Sequence, residues 1–336
     1  MPSPSPGAPE PERRRTPRRA RGQRAFRLAR PDGGELHVEV EGTGRSAVVL
    51  CDGLACDGFA WKYLRPALVG QRRVIHWHYR GHGESPLPPP GVPPSIPQFA
   101  DDLAALLDSL RLRSAVIVGH SMGVQLALEF HRRHPARARA LVLVSGSPGH
   151  PLDTFHDTTL LRRALPSLRR GAERFPRAAA ALTRIGVRSG LAMEIAMSTE
   201  VNASLLRRAD LQPYFEHVQR MDPRFFLRSM QAAAEHGAED HLSDVDVPTL
   251  IVAGDRDRFT PTWLSRRMAL EIPSAELFLV HGGSHTALLE RPEEVNRAVL
   301  DFLHRRAGSR RPGRAPIGPA PVAPVRRRPP GAGGGP

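Results

Sequence analysis

The sequence predicts an α/β fold in which a mostly parallel sheet is covered by helices on both faces, and three observations carry that prediction. Short apolar runs at 46–51, 115–118, 138–144 and 249–253 have the near-continuous apolarity of strands buried on both faces, and helical patterns separate them. One run, 115–118, passes straight into the apolar helical pattern 122–134, with Gly119, Ser121 and Gly123 at the join. The chain has 336 residues, enough to bury one full core with segments to spare.

Each element follows in order. Pro31-Asp32-Gly33-Gly34 is a turn sequence joining 26–30 to the alternating run 36–40, which predicts a hairpin. The third strand is 46–51, the first crossover helix 61–68, the fourth strand 73–77 and the next helix 98–110. Strand 115–118, helix 122–134 and strand 138–144 complete the first half. Between 145 and 247 the alternation stops, and the region reads as several helices broken at Pro166, Pro176, Gly186, Gly190 and Pro213. Its apolar content is Leu160, Leu161, Leu191, Met193, Ile195, Met197, Leu205, Leu206, Phe225, Phe226 and Met230; most of it should form the interior of the insertion, and the rest should face a pocket. Strands at 249–253 and 276–280 follow. The last helix begins near Pro292, a favourable first-turn position, and carries Val295, Val299 and Phe302 at helical spacing. The expected division is a core of 24–146 and 246–306, a helical insertion at 147–245, and tails at 1–23 and 307–336.

The formal net charge of +14 suggests nucleic acid until it is located. Residues 1–24 hold seven arginines against two glutamates, and 305–336 hold eight arginines and no acid, so net charges of +5 and +8 leave about +1 for everything between. Both ends are rich in Pro, Gly, Ala and Arg and are expected to be disordered, because they can bury too little apolar surface to offset the entropy of ordering. Lys62 is the only lysine, which suits a compositional bias, so no specific nucleic-acid partner is expected. Arg13-Arg14-Arg15 precedes no apolar segment of the kind an export signal needs, and no run is long enough to span a membrane; a soluble cytoplasmic protein is expected. Cys51 and Cys56 make no disulfide framework, and His76, His78 and His82 lack the spacing of a zinc site, so no metal or cofactor is expected.

Chemistry concentrates in three places. Ser121, between Gly119 and Gly123 on a strand-to-helix turn, has the setting of a nucleophile elbow, where a strained backbone projects the hydroxyl. Loop 254–261 offers Asp255 and Asp257, and loop 281–285 offers His281 and His285. Asp255, so close to its strand, reads as a turn-former bonding its own backbone, and His281 as a solvated loop residue. His120, inside the elbow, reads as a packing and hydrogen-bonding neighbour of the serine. The Gly254-Asp255-Arg256-Asp257-Arg258-Phe259-Thr260-Pro261 and Gly283-Ser284-His285 segments, with the elbow, resemble the α/β-hydrolase superfamily. The resemblance implies an eight-stranded sheet, a lid inserted after the sixth strand, and Ser121, Asp257 and His285 as nucleophile, acid and base. It also implies an oxyanion hole made by the N–H groups of Met122 and Leu54, with Gly53 beside it. Two departures stand out. Asp52 occupies the place of the family's histidine before Gly53, and His78 the place of its aspartate in His78-Tyr79-Arg80-Gly81-His82-Gly83-Glu84-Ser85. Two readings stand: Asp52 and His78 pair and hold the oxyanion loop, with Arg80 in support, or each bonds locally to backbone.

The expected reaction is hydrolysis of a small, largely apolar carboxylic ester, thioester or lactone through an acyl-enzyme, with an acyl substrate and water as the only partners. C–C bond hydrolysis, acyl transfer and perhydrolysis run on the same triad. The alternative of another class is a silent binding scaffold, a type that usually loses the serine, the histidine or the elbow glycines kept here. The composition of the ends also makes a prediction: deleting 1–22 and 308–336 should leave the melting temperature within about 5 °C, which for a domain of this size corresponds to roughly 1–2 kcal/mol. A larger fall in a thermal scan would show that an end docks on the core.

Overall fold

Hydrophobic alternation places the two core layers. A computed structural model describes residues 23–306; the expectation of disordered tails falls outside the described residues. The strands are β1 (Arg24–Ala29), β2 (Glu35–Glu41), β3 (Ala47–Cys51), β4 (Arg73–Trp77), β5 (Ala115–His120), β6 (Ala138–Val144), β7 (Thr249–Gly254) and β8 (Ala275–Val280). They form one eight-stranded sheet in the order β1-β2-β4-β3-β5-β6-β7-β8, in which β2 runs antiparallel to both its neighbours and the strands from β4 through β8 pair in parallel. Within β3, Val48 and Leu50 face one layer while Val49 and Cys51 face the other, the period-two pattern of a strand buried on both sides.

The first helices of the core are α1 (Leu64–Val69), α2 (Ile96–Ser109) and α3 (Met122–Arg133). Phe99, Leu103, Val124 and Phe130 of α2 and α3 cover one face; Leu64 and Leu68 of α1 cover the other. The first crossover helix is shorter than the pattern 61–68 implied. Phe59–Trp61 is a separate 3-10 turn, because Pro66 has no N–H to bond back toward residue 62 and its ring opposes an α-helix begun there. In α2 the Ser95 hydroxyl accepts from the Gln98 N–H at 3.2 Å, and this cap starts the helix two residues before the pattern suggested.

Between β6 and β7 run α4 (Leu160–Arg174), α5 (Pro176–Arg188), α6 (Leu191–Thr199), α7 (Arg208–Arg220) and α8 (Pro223–Glu235). Of the expected breaks, Pro176 and Gly190 do separate helices. Pro166, Gly186 and Pro213 do not: each lies inside a helix, where one missing N–H or one flexible residue weakens a turn without ending it. Met193, Met197 and Leu206 form the interior of the insertion with Leu211 and Phe215, whereas Leu160, Leu191 and Ile195 are exposed. After β7 come α9 (Thr262–Glu271), then, beyond β8, α10 (Ala287–Glu290) and α11 (Pro292–Arg305), whose Val295, Val299 and Phe302 pack on the sheet as their spacing required. Among the described residues no helix is long and apolar enough to cross a membrane, and no cluster of three His, Cys, Asp or Glu side chains could hold a metal ion.

Candidate active site

The parallel strands end on one edge of the sheet, and the site is built from the turns that leave it. Ser121 sits between β5 and α3 with φ 55° and ψ −117°, a conformation that is costly for a residue with a side chain. The turn is tight enough that its glycines have no room for a Cβ: one on Gly119 would stand 2.1 Å from the Gly123 carbonyl oxygen, and one on Gly123 2.1 Å from that of Cys51. The hydroxyl projects toward His285, whose Nε2 lies 3.0 Å from Ser121 Oγ. His285 Nδ1 lies 3.0 Å from Asp257 Oδ2.

Asp257 is buried and saturated with donors. The Phe259 and Thr260 N–H groups donate to Oδ1, both at 2.8 Å, and the Thr260 hydroxyl donates to Oδ2 at 2.8 Å. Burial alone would raise its pKa, yet the adjacent His285 and these donors hold it below the ordinary carboxylate range. Burial would likewise lower the pKa of His285, and the Asp257 carboxylate more than reverses that, leaving it raised. The two rivals from the sequence find each other instead. Asp255 Oδ2 lies 3.2 Å from His281 Nδ1 and its Oδ1 accepts from the Gly282 N–H, at the surface.

Three supports were not legible in the sequence. Glu290 accepts from the Ser284 N–H at 2.6 Å, from the Thr286 hydroxyl at 2.9 Å and from the Asn202 N–H at 2.8 Å, so it fixes both flanks of His285 and anchors the insertion. Thr260 braces Asp257. Phe259 stacks on the His285 ring at 4.6 Å between centroids. His120 Nε2 lies 3.2 Å from the His285 carbonyl oxygen, and burial pushes its pKa down to about 4, so its ring is a neutral partner.

The loop after β3 lies beside the elbow: a Cβ on Gly53 would be 3.2 Å from that of Ser121, and Leu54 and Met122 both line the cavity at the serine. Met122 opens α3, where a helix leaves its N–H groups without intrahelical acceptors. Asp52 does not pair with His78 as expected. Asp52 is buried with Trp61 Nε1 donating to Oδ1 at 2.6 Å and His76 Nε2 2.9 Å from Oδ2, and the Tyr79 hydroxyl donates to its backbone carbonyl at 2.8 Å. Leu50 of β3 pairs with His76 of β4, so the chain two residues after Leu50 reaches the same face and meets the histidine inside the strand. His78, past the strand end, accepts from the Glu84 N–H at 2.8 Å. Gly83, at φ 51°, lets that loop fold against the ring, and burial together with the neighbouring His76 drives the His78 pKa down to about 3. Arg80 binds Asp102 through Nε at 2.7 Å and Nη2 at 2.8 Å and reaches Asp32 at 2.5 Å, tying the hairpin turn to α2 rather than touching Asp52.

The cavity at Ser121 has a volume of about 70 Å³ and a mainly apolar lining that includes Leu54, Met122, Leu152, Leu161, Met230 and Phe259. Leu161 and Met230 come from the insertion.

The sequence pattern of the alpha/beta hydrolase family matches residues 48–298. The chain is 28% identical over 277 residues to a putative carbamate hydrolase RutD of Caulobacter sp. (strain K31), covering 80% of this chain and 95% of that one. It is 29% identical over 291 residues to the non-heme chloroperoxidase CPO-A1 of Kitasatospora aureofaciens, covering 82% and 98% respectively. Among solved structures, a thermophilic esterase from Thermogutta terrifontis with malate bound superposes with a TM-score of 0.69 at 25% identity, over 84% of this chain and 98% of that one.

The corrected network makes a prediction. Asp52→Ala leaves buried His76 and Trp61 without their acceptor and should cost roughly 3 kcal/mol or more in urea unfolding, whereas His78→Ala should cost about 1–2 kcal/mol. The opposite ranking would restore His78 as the residue that holds Asp52.

Proposed function

The chain belongs to the alpha/beta hydrolase family, and from that premise we propose that it is a serine hydrolase cleaving a small, largely apolar carboxylic ester, thioester or lactone. The observation that carries this reading is the unbroken chain from Asp257 through His285 to Ser121, each contact 3.0 Å, opening into an apolar cavity. In this reading Ser121 Oγ attacks the carbonyl carbon while His285 Nε2 takes its proton. Asp257 fixes the Nδ1–H tautomer and balances the imidazolium, and the Leu54 and Met122 amides receive the oxyanion. The imidazolium then gives its proton to the departing alkoxide or thiolate. Water repeats the attack on the acyl-enzyme, with His285 as base, and releases the acid. The insertion acts as a lid: Leu161 and Met230 limit the acyl group, and about 70 Å³ is under half the roughly 150 Å³ of an apolar cavity that takes benzene.

A panel of p-nitrophenyl esters tests this. Turnover should peak at acetate to butyrate and fall for octanoate; an aryl carbamate belongs in the panel because one relative bears that name, and faster turnover of it would replace the ester reading. Ser121→Ala and His285→Ala should each cost several orders of magnitude with the melting temperature unchanged, and Asp257→Asn a similar or smaller loss. Near-normal turnover by a folded Ser121→Ala variant refutes the mechanism, and a wild-type chain that no fluorophosphonate labels would be a silent scaffold.

The pH dependence has a definite sign. The base works only when neutral, so kcat/KM should be lost as pH falls through the pKa of His285, which lies above the ordinary 6.5. Asp257→Asn removes the charge that raises it, so the midpoint of its residual activity should move to lower pH. A rate profile flat down to pH ~5 would require another base.

A further inference from the structure

A second cavity, of about 710 Å³, lies behind the loop that carries Leu54. It is bounded by α5, by the corner between α7 and α8, and by the loop after β4. Met221 lines it, Leu54 lines the serine pocket, and the two pack together with Ala55 and Phe225 as the partition between them. Its volume is within the range of small-molecule sites, roughly 300–1,000 Å³.

The lining is cationic. Arg177 and Arg184 come from α5, Arg220 from the end of α7 and Arg224 from the first turn of α8, and Asp222 is the only carboxylate among the lining residues. Asp222 is already engaged, accepting from the Arg224 N–H at 2.8 Å and from its Nη2 at 2.6 Å. Arg220 reaches Asp57 only at 3.5 Å. Arg177 and Arg184 have no acidic partner among the described residues. Seven positions apart, they share one face of α5 at a separation of about 10 Å along the axis, with Ala180 and Thr183 between them contributing little bulk. His217 adds no charge: burial pushes its pKa down to about 4, and its Nε2 accepts from the Gly83 N–H at 3.3 Å. Guanidinium groups gathered around an open cleft repel one another unless an anion lies between them, and their planar donor sets match the oxygens of phosphate and carboxylate.

We propose that this cleft is a binding site, separate from the serine pocket, for a small ligand carrying two or more anionic oxygen groups, a phosphate ester or a polycarboxylate. The site uses Arg177 and Arg184 as its paired anchors, with Arg220 as a third cation of the lining.

Isothermal titration of the full chain with pyrophosphate and with citrate, in about 0.15 M salt to screen diffuse attraction, tests the proposal. Saturable one-site binding is expected. The double variant Arg177→Ala/Arg184→Ala should weaken it about tenfold or more, since charge-assisted hydrogen bonds are lost. The double variant Arg163→Ala/Arg170→Ala, exposed on α4 and outside the cleft, should leave it within about twofold, and so should Ser121→Ala. Thermal unfolding and turnover of a short ester should be unchanged in Arg177→Ala/Arg184→Ala, which separates lost binding from lost fold. Tighter pyrophosphate assigns a phosphate ester and tighter citrate a polycarboxylate. Binding that survives Arg177→Ala/Arg184→Ala places the anion on the arginine-rich ends and overturns the proposal, as does the absence of binding at millimolar ligand.

Discussion

The candidate site takes its geometry from one close approach, that of the first turn of α3 to the end of β3. The Cys51 carbonyl oxygen lies where a Cβ on Gly123 would come within 2.1 Å, so the helix can descend that far only with glycine there. This approach brings the Met122 amide beside the loop of Gly53 and Leu54. It also forces Ser121 into its positive φ, a strain of roughly 1–3 kcal/mol that isolated turns would relax. The sheet prevents relaxation: the Ser121 N–H donates to the Val144 carbonyl at 3.0 Å, and β5 is paired on both sides, with β3 and with β6. Strand register, helix entry and hydroxyl placement are therefore one constraint seen at three points.

Two buried aspartate–histidine pairs flank that constraint, and their difference is instructive. In each, burial would neutralise the carboxyl, and the paired histidine with further donors holds the aspartate pKa down instead. What separates them is the second ring nitrogen. His285 directs Nε2 at Ser121 Oγ beside an apolar cavity, while His76 Nδ1 is buried, with the Glu39 carboxylate 4.0 Å away. The first pair aims a ring nitrogen at a hydroxyl beside a cavity; the second is closed in among buried groups and braces the loop. Asp52 thus stands behind the loop of Gly53 and Leu54 with its carboxylate engaged by His76 and by the Trp61 N–H.

How much of this the sequence disclosed follows from the range over which each signal acts. Strand and helix positions came from local periodicity, and the turn chemistry of Ser121, Asp257 and His285 was concentrated in short loops, so each was readable within a few residues. The partner of Asp52 depended on the register between β3 and β4, which no local pattern records; His76 inside the strand and His78 beyond it look equally good until Leu50 is set against His76. Glu290 left no readable signal, because its contacts form only when 286–290 coils into a helical turn and Asn202 of the insertion comes alongside. Pro166, Gly186 and Pro213 misled in the other direction: a helix breaker states a local cost, and each of these helices continues through it.

The same asymmetry divides the work between sheet and insertion. Ser121, Asp257 and His285 hang from strand ends embedded in layers of fully buried residues, whereas the insertion has a small interior and leaves Phe175, Leu182, Ile185, Leu191 and Ile195 exposed. Local opening is cheapest where few apolar contacts must be broken, so the insertion opens before the sheet does. The cavity beside Ser121, about 70 Å³, takes part of its wall from this insertion. On the proposed function, the walls contributed by α4 and α8, Leu161 and Met230, are the parts that move, while Ser121, Asp257 and His285 stay fixed. On the same proposed function, changes in the insertion alter the acyl group admitted without disturbing Ser121, because the strained turn that presents it is held by the sheet.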